Sequence, residues 1–268
     1  MASSGSGYDL SSSTFSPDGR IFQVEYASKA VENGGTALGL RCCDGVLLCV
    51  EKPLHTGRMT VPSSSRRIHA LDRHAGAAIT GFLPDGRQIV SRGRDEASGY
   101  VESFGVPIPP KVLTERLGSY VHYFTLHGSL RPFGAAAILA GYDEALQKHG
   151  LYMVDPSGMA YEYYGCAAGR GRQSAKTELE KLPLQQSGPG GVTLDRGLVY
   201  LAKIIHMLHE EGRDKPFVLE MGWMGKRTNW KFLSVPKELI TKAEADAKEE
   251  LEAEDVEDGD GSEDEMEE

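Results

Sequence analysis

Apolar residues along this chain fall into short runs separated by turn residues, and the runs come in pairs. Thr36–Arg41 and Val46–Val50 flank Asp44-Gly45, a strong hairpin signal. Ile68–Leu71 and Ala75–Gly81 read as a second strand pair. Leu151–Val154 and Met159–Tyr164 flank the turn Asp155-Pro156-Ser157-Gly158. Ala135–Ala140 is continuously apolar, while Phe217–Met221 and Trp230–Leu233 read as closing strands. Helical spacing appears between these groups: residues 84–103, Val112 to about His127, 172–182, 193–211, and a charged stretch from Lys237 to about Leu251. Val112, Leu117, Val121 and Phe124 are the expected core contacts of the second of these.

The first helix has an unusual approach. Phe15-Ser16-Pro17-Asp18-Gly19-Arg20 is built to turn, because Pro17 presets φ and Asp18-Gly19 completes the bend. A helix then opens with Asp18 as the expected N-cap. Ile21, Phe22, Ala27, Ala30 and Val31 give it an apolar side, and Glu25, Lys29 and Glu32 a polar one. N-terminal residues usually fray, so an arm patterned this closely is expected to dock against neighbours. Strands grouped in hairpins, rather than alternating singly with helices, predict an α+β fold of antiparallel sheets covered by helix layers.

Composition narrows the picture. A chain of 268 residues can bury a sizeable core. No run approaches the ~20 apolar residues of a membrane span, and Met1 to Gly7 has neither the basic nor the apolar region of a secretory signal. Cys42, Cys43, Cys49 and Cys166 show no zinc spacing and no disulfide framework, which suits a reducing compartment. The net charge of −10 belongs to the C-terminus: residues 249–268 hold 13 of the 39 acids and none of the 29 Lys and Arg. The remaining body is close to neutral, which argues against nucleic-acid binding. The terminal block is expected to be solvated and disordered.

Tyr8-Asp9, the turn at residues 15–20, Gln23-Val24-Glu25-Tyr26-Ala27 and Ala30-Val31 together resemble the N-terminal signature of proteasome alpha-type subunits. The resemblance continues through Thr36-Ala37-Leu38-Gly39, Arg131-Pro132-Phe133-Gly134, Asp155-Pro156-Ser157-Gly158 and Gly165 to Lys181, covering about residues 5–245. It is strongest to one type of alpha subunit, through Leu10, Arg41-Cys42, Tyr152-Met153-Val154-Asp155, Tyr164-Gly165-Cys166-Ala167, Gln173 to Glu178 and the acidic tail.

This likeness implies a four-layer αββα sandwich, the N-terminal nucleophile hydrolase-like fold. It implies four segments: a flexible stretch 1–7, a gate arm with its helix 8–34, the sandwich 35–248, and a disordered acidic tail 249–268. It also implies a non-catalytic subunit of the 20S core, in the cytoplasm and nucleus, serving ubiquitin-dependent and ubiquitin-independent degradation. The implied partners are other alpha subunits in a seven-membered ring, beta-ring subunits, and regulatory particles or other activators. No cofactor, nucleic acid or membrane is expected. The family's gating residues carry over to Tyr8, Asp9, Pro17 and Tyr26, where tyrosine hydroxyls can donate to the Asp9 carboxylate. The basic residue that meets an activator's terminal carboxylate carries over to Arg67, whose guanidinium suits bidentate binding.

The catalytic relatives of this family use an N-terminal threonine, whose own free amine takes the hydroxyl proton. A Gly35-Thr36 junction exists here. Aligning Leu38-Gly39 with the catalytic pattern puts Gly35 at the nucleophile position, Glu51 at the carboxylate position and Arg67 at the lysine position. Shifting the frame to Thr36 puts Ile68 there instead. No catalytic residue is therefore expected. His206 and His209 sit three apart with no third ligand nearby, so no metal is expected. The glycine- and arginine-rich Gly165–Arg172 lacks the Lys-Ser/Thr of a P-loop and reads as a strand-to-helix turn. Ser262, followed by Glu263-Asp264-Glu265, is a candidate phosphosite.

Overall fold

The computed structural model describes residues 7–54, 61–184, 190–209 and 216–260. Ten strands form two five-stranded antiparallel sheets. The first has β1 (Ala37–Arg41), β2 (Gly45–Pro53), β8 (Gly165–Ala168), β9 (Phe217–Gly225) and β10 (Leu233–Ser234), in the order β10-β9-β2-β1-β8. The second has β3 (Ile68–Asp72), β4 (Ala75–Gly81), β5 (Ala135–Asp143), β6 (Lys148–Val154) and β7 (Ala160–Tyr163), in chain order. The helices are α1 (Phe22–Glu32), α2 (Leu83–Phe104), α3 (Pro110–Tyr123), α4 (Arg172–Glu180), α5 (Leu194–Leu208) and α6 (Lys237–Asp260).

Three apolar layers hold the four structural layers together. Alternate residues of each strand face opposite ways, and here both faces are buried. Val46, Leu48 and Val50 of β2 join Ile138 and Ala140 of β5 and Leu151 of β6 between the sheets. Leu47 and Cys49 of β2, with Leu38 and Leu40 of β1, meet Leu198, Leu201 and Ile205 of α5 outside the first sheet. Ile79, Ala137 and Leu139 meet Ile89, Leu113 and Leu117 of α2 and α3 outside the second. The expected αββα sandwich is thus present, with α4, α5 and α6 on one side and α2 and α3 on the other.

Several boundaries differ from the sequence reading. Asp18 does not cap α1. The Ser16 hydroxyl accepts from Arg20 N at 3.0 Å and its carbonyl from Gly19 N at 2.9 Å, closing the turn before extended Ile21 takes the N-cap position. α3 starts at Pro110, two residues before the expected Val112, since proline lacks only an N–H the first turn does not use. Part of Gly165–Arg172 is the separate strand β8, which leaves the second sheet after Tyr163 and pairs with β1. Asn229 and Trp230 adopt left-handed φ of 51° and 58°, confining the last strand to Leu233–Ser234. Trp230 stacks flat on Tyr142 at 4.1 Å.

Residues 249–260, expected in the disordered tail, continue α6. Glu and Ala favour helix, and α5 supplies counter-charges. Arg196 Nη2 donates to Glu250 Oε2 at 3.2 Å, and Lys203 Nζ to Glu254 Oε1 at 2.5 Å. Residues 1–6 of the expected flexible start, and Ser262, lie outside the described residues.

Gly86 in α2 shows how tightly the layers meet. A Cβ there would lie 1.9 Å from Ile79 Cγ2 in β4. Gly86→Ala is expected to destabilise the chain by about 1–3 kcal/mol from overpacking, despite alanine's higher helix propensity. Urea unfolding of the purified variant measures this, and a gain in stability would show that α2 can retreat.

Candidate functional site

The N-terminal arm runs to the end of the sandwich where β4 ends and β1, β3 and β5 begin. Ser12, fully buried, donates its hydroxyl to His127 O at 2.9 Å, tying the arm to the loop after α3. Gln23 Nε2 donates to Asp9 O at 2.5 Å. Arg20 pairs with Glu25 through Nε at 2.7 Å and lies over the Phe22 ring. α1 packs on β4 and β5, burying Ala27 and Val31.

Of the expected gating residues, Tyr8 and Tyr26 are 37% and 48% exposed, and Pro17 is exposed in the turn. Among the described residues no hydrogen bond joins the side chains of Tyr8, Asp9 and Tyr26. Tyr26 stacks on Phe22 at 6.3 Å. All four residues lie on one arm, with two tyrosines turned toward solvent.

Where α1 ends, the chain enters β1 through Gly34, Gly35 and Thr36. Thr36 is buried. Its N–H donates to Glu51 Oε2 at 3.0 Å, and its hydroxyl accepts from Gly171 N at 3.2 Å. Arg170 Nη2 lies 3.4 Å and His209 Nδ1 3.7 Å from Glu51 Oε1. A Cβ on Gly35 would meet the Glu51 carbonyl oxygen at 2.4 Å, so only glycine fits. Sequence reasoning picked out Gly35, Thr36 and Glu51, but not Arg170 or Gly171, which join from more than a hundred residues away.

The Arg131-Pro132-Phe133-Gly134 motif has a structural role. Arg131 grips Asp85 in the first turn of α2 with two bonds of 2.6 and 2.8 Å, and Gly134 N donates to Asp85 Oδ2 at 2.9 Å. Burial raises the Asp85 pKa, but the Arg131 guanidinium and the Gly134 N–H outweigh it and hold the carboxyl below the usual range.

Arg67 is half-buried beside β3. Its backbone N–H and that of Ile68 both donate to Glu220, at 3.1 Å each, and its Nη1 lies 3.5 Å from Gly81 O. Burial pulls the guanidinium below its ordinary pKa, and Glu220 opposes this. An arginine remains a cation there. His206 and His209 face Glu244 at 3.5 Å and Glu51 at 3.7 Å, and both pack on Phe217. Among the described residues no group of three or more His, Cys, Asp or Glu is placed to hold a metal. No described helix is long and apolar enough to cross a membrane.

A family model described as "Proteasome subunit" matches residues 31–224, and a second, the N-terminal signature of the A-type proteasome subunits, matches residues 8–30. The chain belongs to the proteasome subunit family. The arm and α1 coincide with the alpha-type signature, and the sandwich with the domain common to the family. The alpha type-3 proteasome subunit of Arabidopsis thaliana is 49% identical over 252 residues, 94% of this chain and 98% of the relative. Its counterpart in Acanthamoeba castellanii is 51% identical over 93% of this chain and 96% of the relative. A probable alpha type-7 proteasome subunit of Saccharomyces cerevisiae is 46% identical over 95% of this chain and 87% of the relative.

The depressed Asp85 pKa has a definite pH consequence. A carboxylate with a lowered folded pKa stabilises the fold fully above its unfolded value and loses that contribution as pH falls through the folded one. Asp85→Asn is expected to cost about 1.5–3 kcal/mol at pH 7. The difference from wild type should shrink below about pH 4. Urea unfolding at pH 7 and pH 3.5 checks both; a pH-independent difference would count against the ion pair.

Proposed function

We propose that this chain is a non-catalytic alpha-ring subunit of a 20S proteasome core, supporting ring assembly, gating of substrate entry and activator docking. Its direct partners would be other alpha subunits in a seven-membered ring, the adjoining beta subunits, and activators on the outer face. One observation carries the non-catalytic part. The nitrogen of Thr36 is a chain amide bonded to Glu51, not a free amine, and its hydroxyl is buried against Gly171. A threonine nucleophile needs an accessible hydroxyl and an amine base beside it; a buried hydroxyl and a nitrogen held by Glu51 support the non-catalytic reading. The preceding segment is folded onto the sandwich through Ser12, α1 and Gly34, unlike a prosegment awaiting removal.

The exposed tyrosines of the arm support the gating role, because aromatic side chains with free hydroxyls suit contacts with neighbouring arms. Arg67 supports the docking role: a half-buried guanidinium, its backbone fixed by Glu220, is a preorganised partner for a terminal carboxylate. The four cysteines are all free, in keeping with work in the cytoplasm and nucleus.

Native mass spectrometry and electron microscopy of the complex purified from its source test the assignment. A stacked-ring particle of unlike subunits, with this chain's N-terminus upstream of Thr36, is the expected result. A stable monomer, or mature protein starting at Thr36, would overturn it. Arg67→Ala is expected to weaken the binding of an activator's terminal carboxylate at that pocket by about tenfold, the scale of one charge-assisted hydrogen bond. Titrating activator peptide against variant and wild-type particles measures this, and equal affinities would remove Arg67 from the docking site.

A further inference from the structure

Between the last turn of α1 and the start of β1, the polar groups of three residues are each taken by a different part of the fold. Gly34 O accepts from Arg170 N at 3.0 Å, and Gly35 O from the Thr80 hydroxyl. Thr36 O accepts from Glu51 N at 2.8 Å, and Thr36 Oγ1 from Gly171 N. An undistorted antiparallel pair would return the Thr36 N–H to the Glu51 carbonyl. Instead it donates to the Glu51 side chain at 3.0 Å. This carboxylate is buried, with Arg170 and His209 on its other side.

We propose that Glu51 is a positioning residue for the gate: its carboxylate fixes the direction in which the N-terminal arm leaves the fold. The inference rests on the gating reading above. Gly34-Gly35 has no side chain to restrict it, so the junction owes its stiffness to these bonds and to the close packing of its backbone on Glu51 and Gly81. The apolar face of α1 is modest, with Ala27 and Val31 buried and Phe22, Val24 and Ala30 half-buried, so the bonds at its root share in holding it. α1 is about 16 Å long at 1.5 Å per residue, so a rotation of about 10° at its root moves the Pro17 turn by roughly 3 Å. Losing the Glu51 acceptor leaves the Thr36 N–H unpaired, and the closed arrangement of the arm loosens.

The experiment uses reconstituted particles carrying Glu51→Ala, Glu51→Gln, or a deletion of residues 1–10. Hydrolysis of a small fluorogenic peptide is measured with and without activator. Hydrogen exchange of residues 34–38 is followed by mass spectrometry. Glu51→Ala should raise the basal rate roughly two- to fivefold, the scale of one net hydrogen bond. Its fully activated rate should be unchanged and its Thr36 amide should exchange faster. Glu51→Gln keeps an oxygen acceptor for that amide and should stay near wild type.

A wild-type basal rate for Glu51→Ala, in a series where the deletion leaks, would overturn the proposal. So would equal leakage from both Glu51 variants, which would assign the effect to charge balance. Should Glu51→Ala fail to assemble, Thr80→Val removes the bond to Gly35 O with a side chain of the same shape; a raised basal rate supports the anchored junction, and a wild-type rate overturns it. If the deletion itself leaves the basal rate unchanged, the gating reading fails and this proposal with it.

Discussion

Burial of both faces of both sheets is the constraint on which the rest of this structure depends. A sheet with one wet face alternates apolar and polar residues, whereas here β2 is apolar at Val46, Leu47, Leu48, Cys49 and Val50, all buried. Stacked sheets sit about 10 Å apart, so the residues between them must be small or closely matched. Gly39 faces the Leu151, Ile138 and Cys166 side chains, and a Cβ there would come within 2.7 Å of the first. The helices then have one available role, to cover the outer faces. Gly86 against Ile79 shows that they do so at backbone contact distance.

Such a core leaves the starts of its strands as the places where polar backbone must find other partners. At one end of the sandwich three carboxylates meet this need. Glu51 takes the N–H just before β1, Glu220 takes the first N–H of β3, and Asp85 takes the N–H just before β5. Each is also near a cation: Arg170, Arg67 and Arg131 respectively. Arg67 therefore lies on a polar rim that the fold requires for its own sake. The docking chemistry proposed for Arg67 would inherit a rigid base, which lowers the ordering cost of binding.

The same rim shapes the junction between the arm and the sandwich. Glu51 lies next to Thr36 and accepts a hydrogen bond from its peptide nitrogen. Gly35, pressed on the Glu51 carbonyl, carries the chain from α1 into β1.

The sequence alone determined the elements whose signals are local. Apolar runs flanking Asp44-Gly45 and Asp155-Pro156-Ser157-Gly158 specify hairpins, because turn residues and a period of two act within a few positions. The Pro17-Asp18-Gly19 turn and the α1 pattern were legible for the same reason, and so were the N-terminal signature and the candidate residues it carries. Tertiary structure alone decided which sheet each strand joins. Tyr163 and Gly165 are two residues apart yet pair in different sheets, and only packing on β1 draws β8 across. It also turned residues 249–260 from a solvated tail into helix, because Arg196 and Lys203, about 50 residues away, supply the opposing charge. The polar anchor at Thr36 brings together Thr80, Arg170 and Gly171 across as many as 135 residues. Hydrogen bonds depend on distance in space, and a sequence records that distance only where neighbours in the chain are also neighbours in the fold.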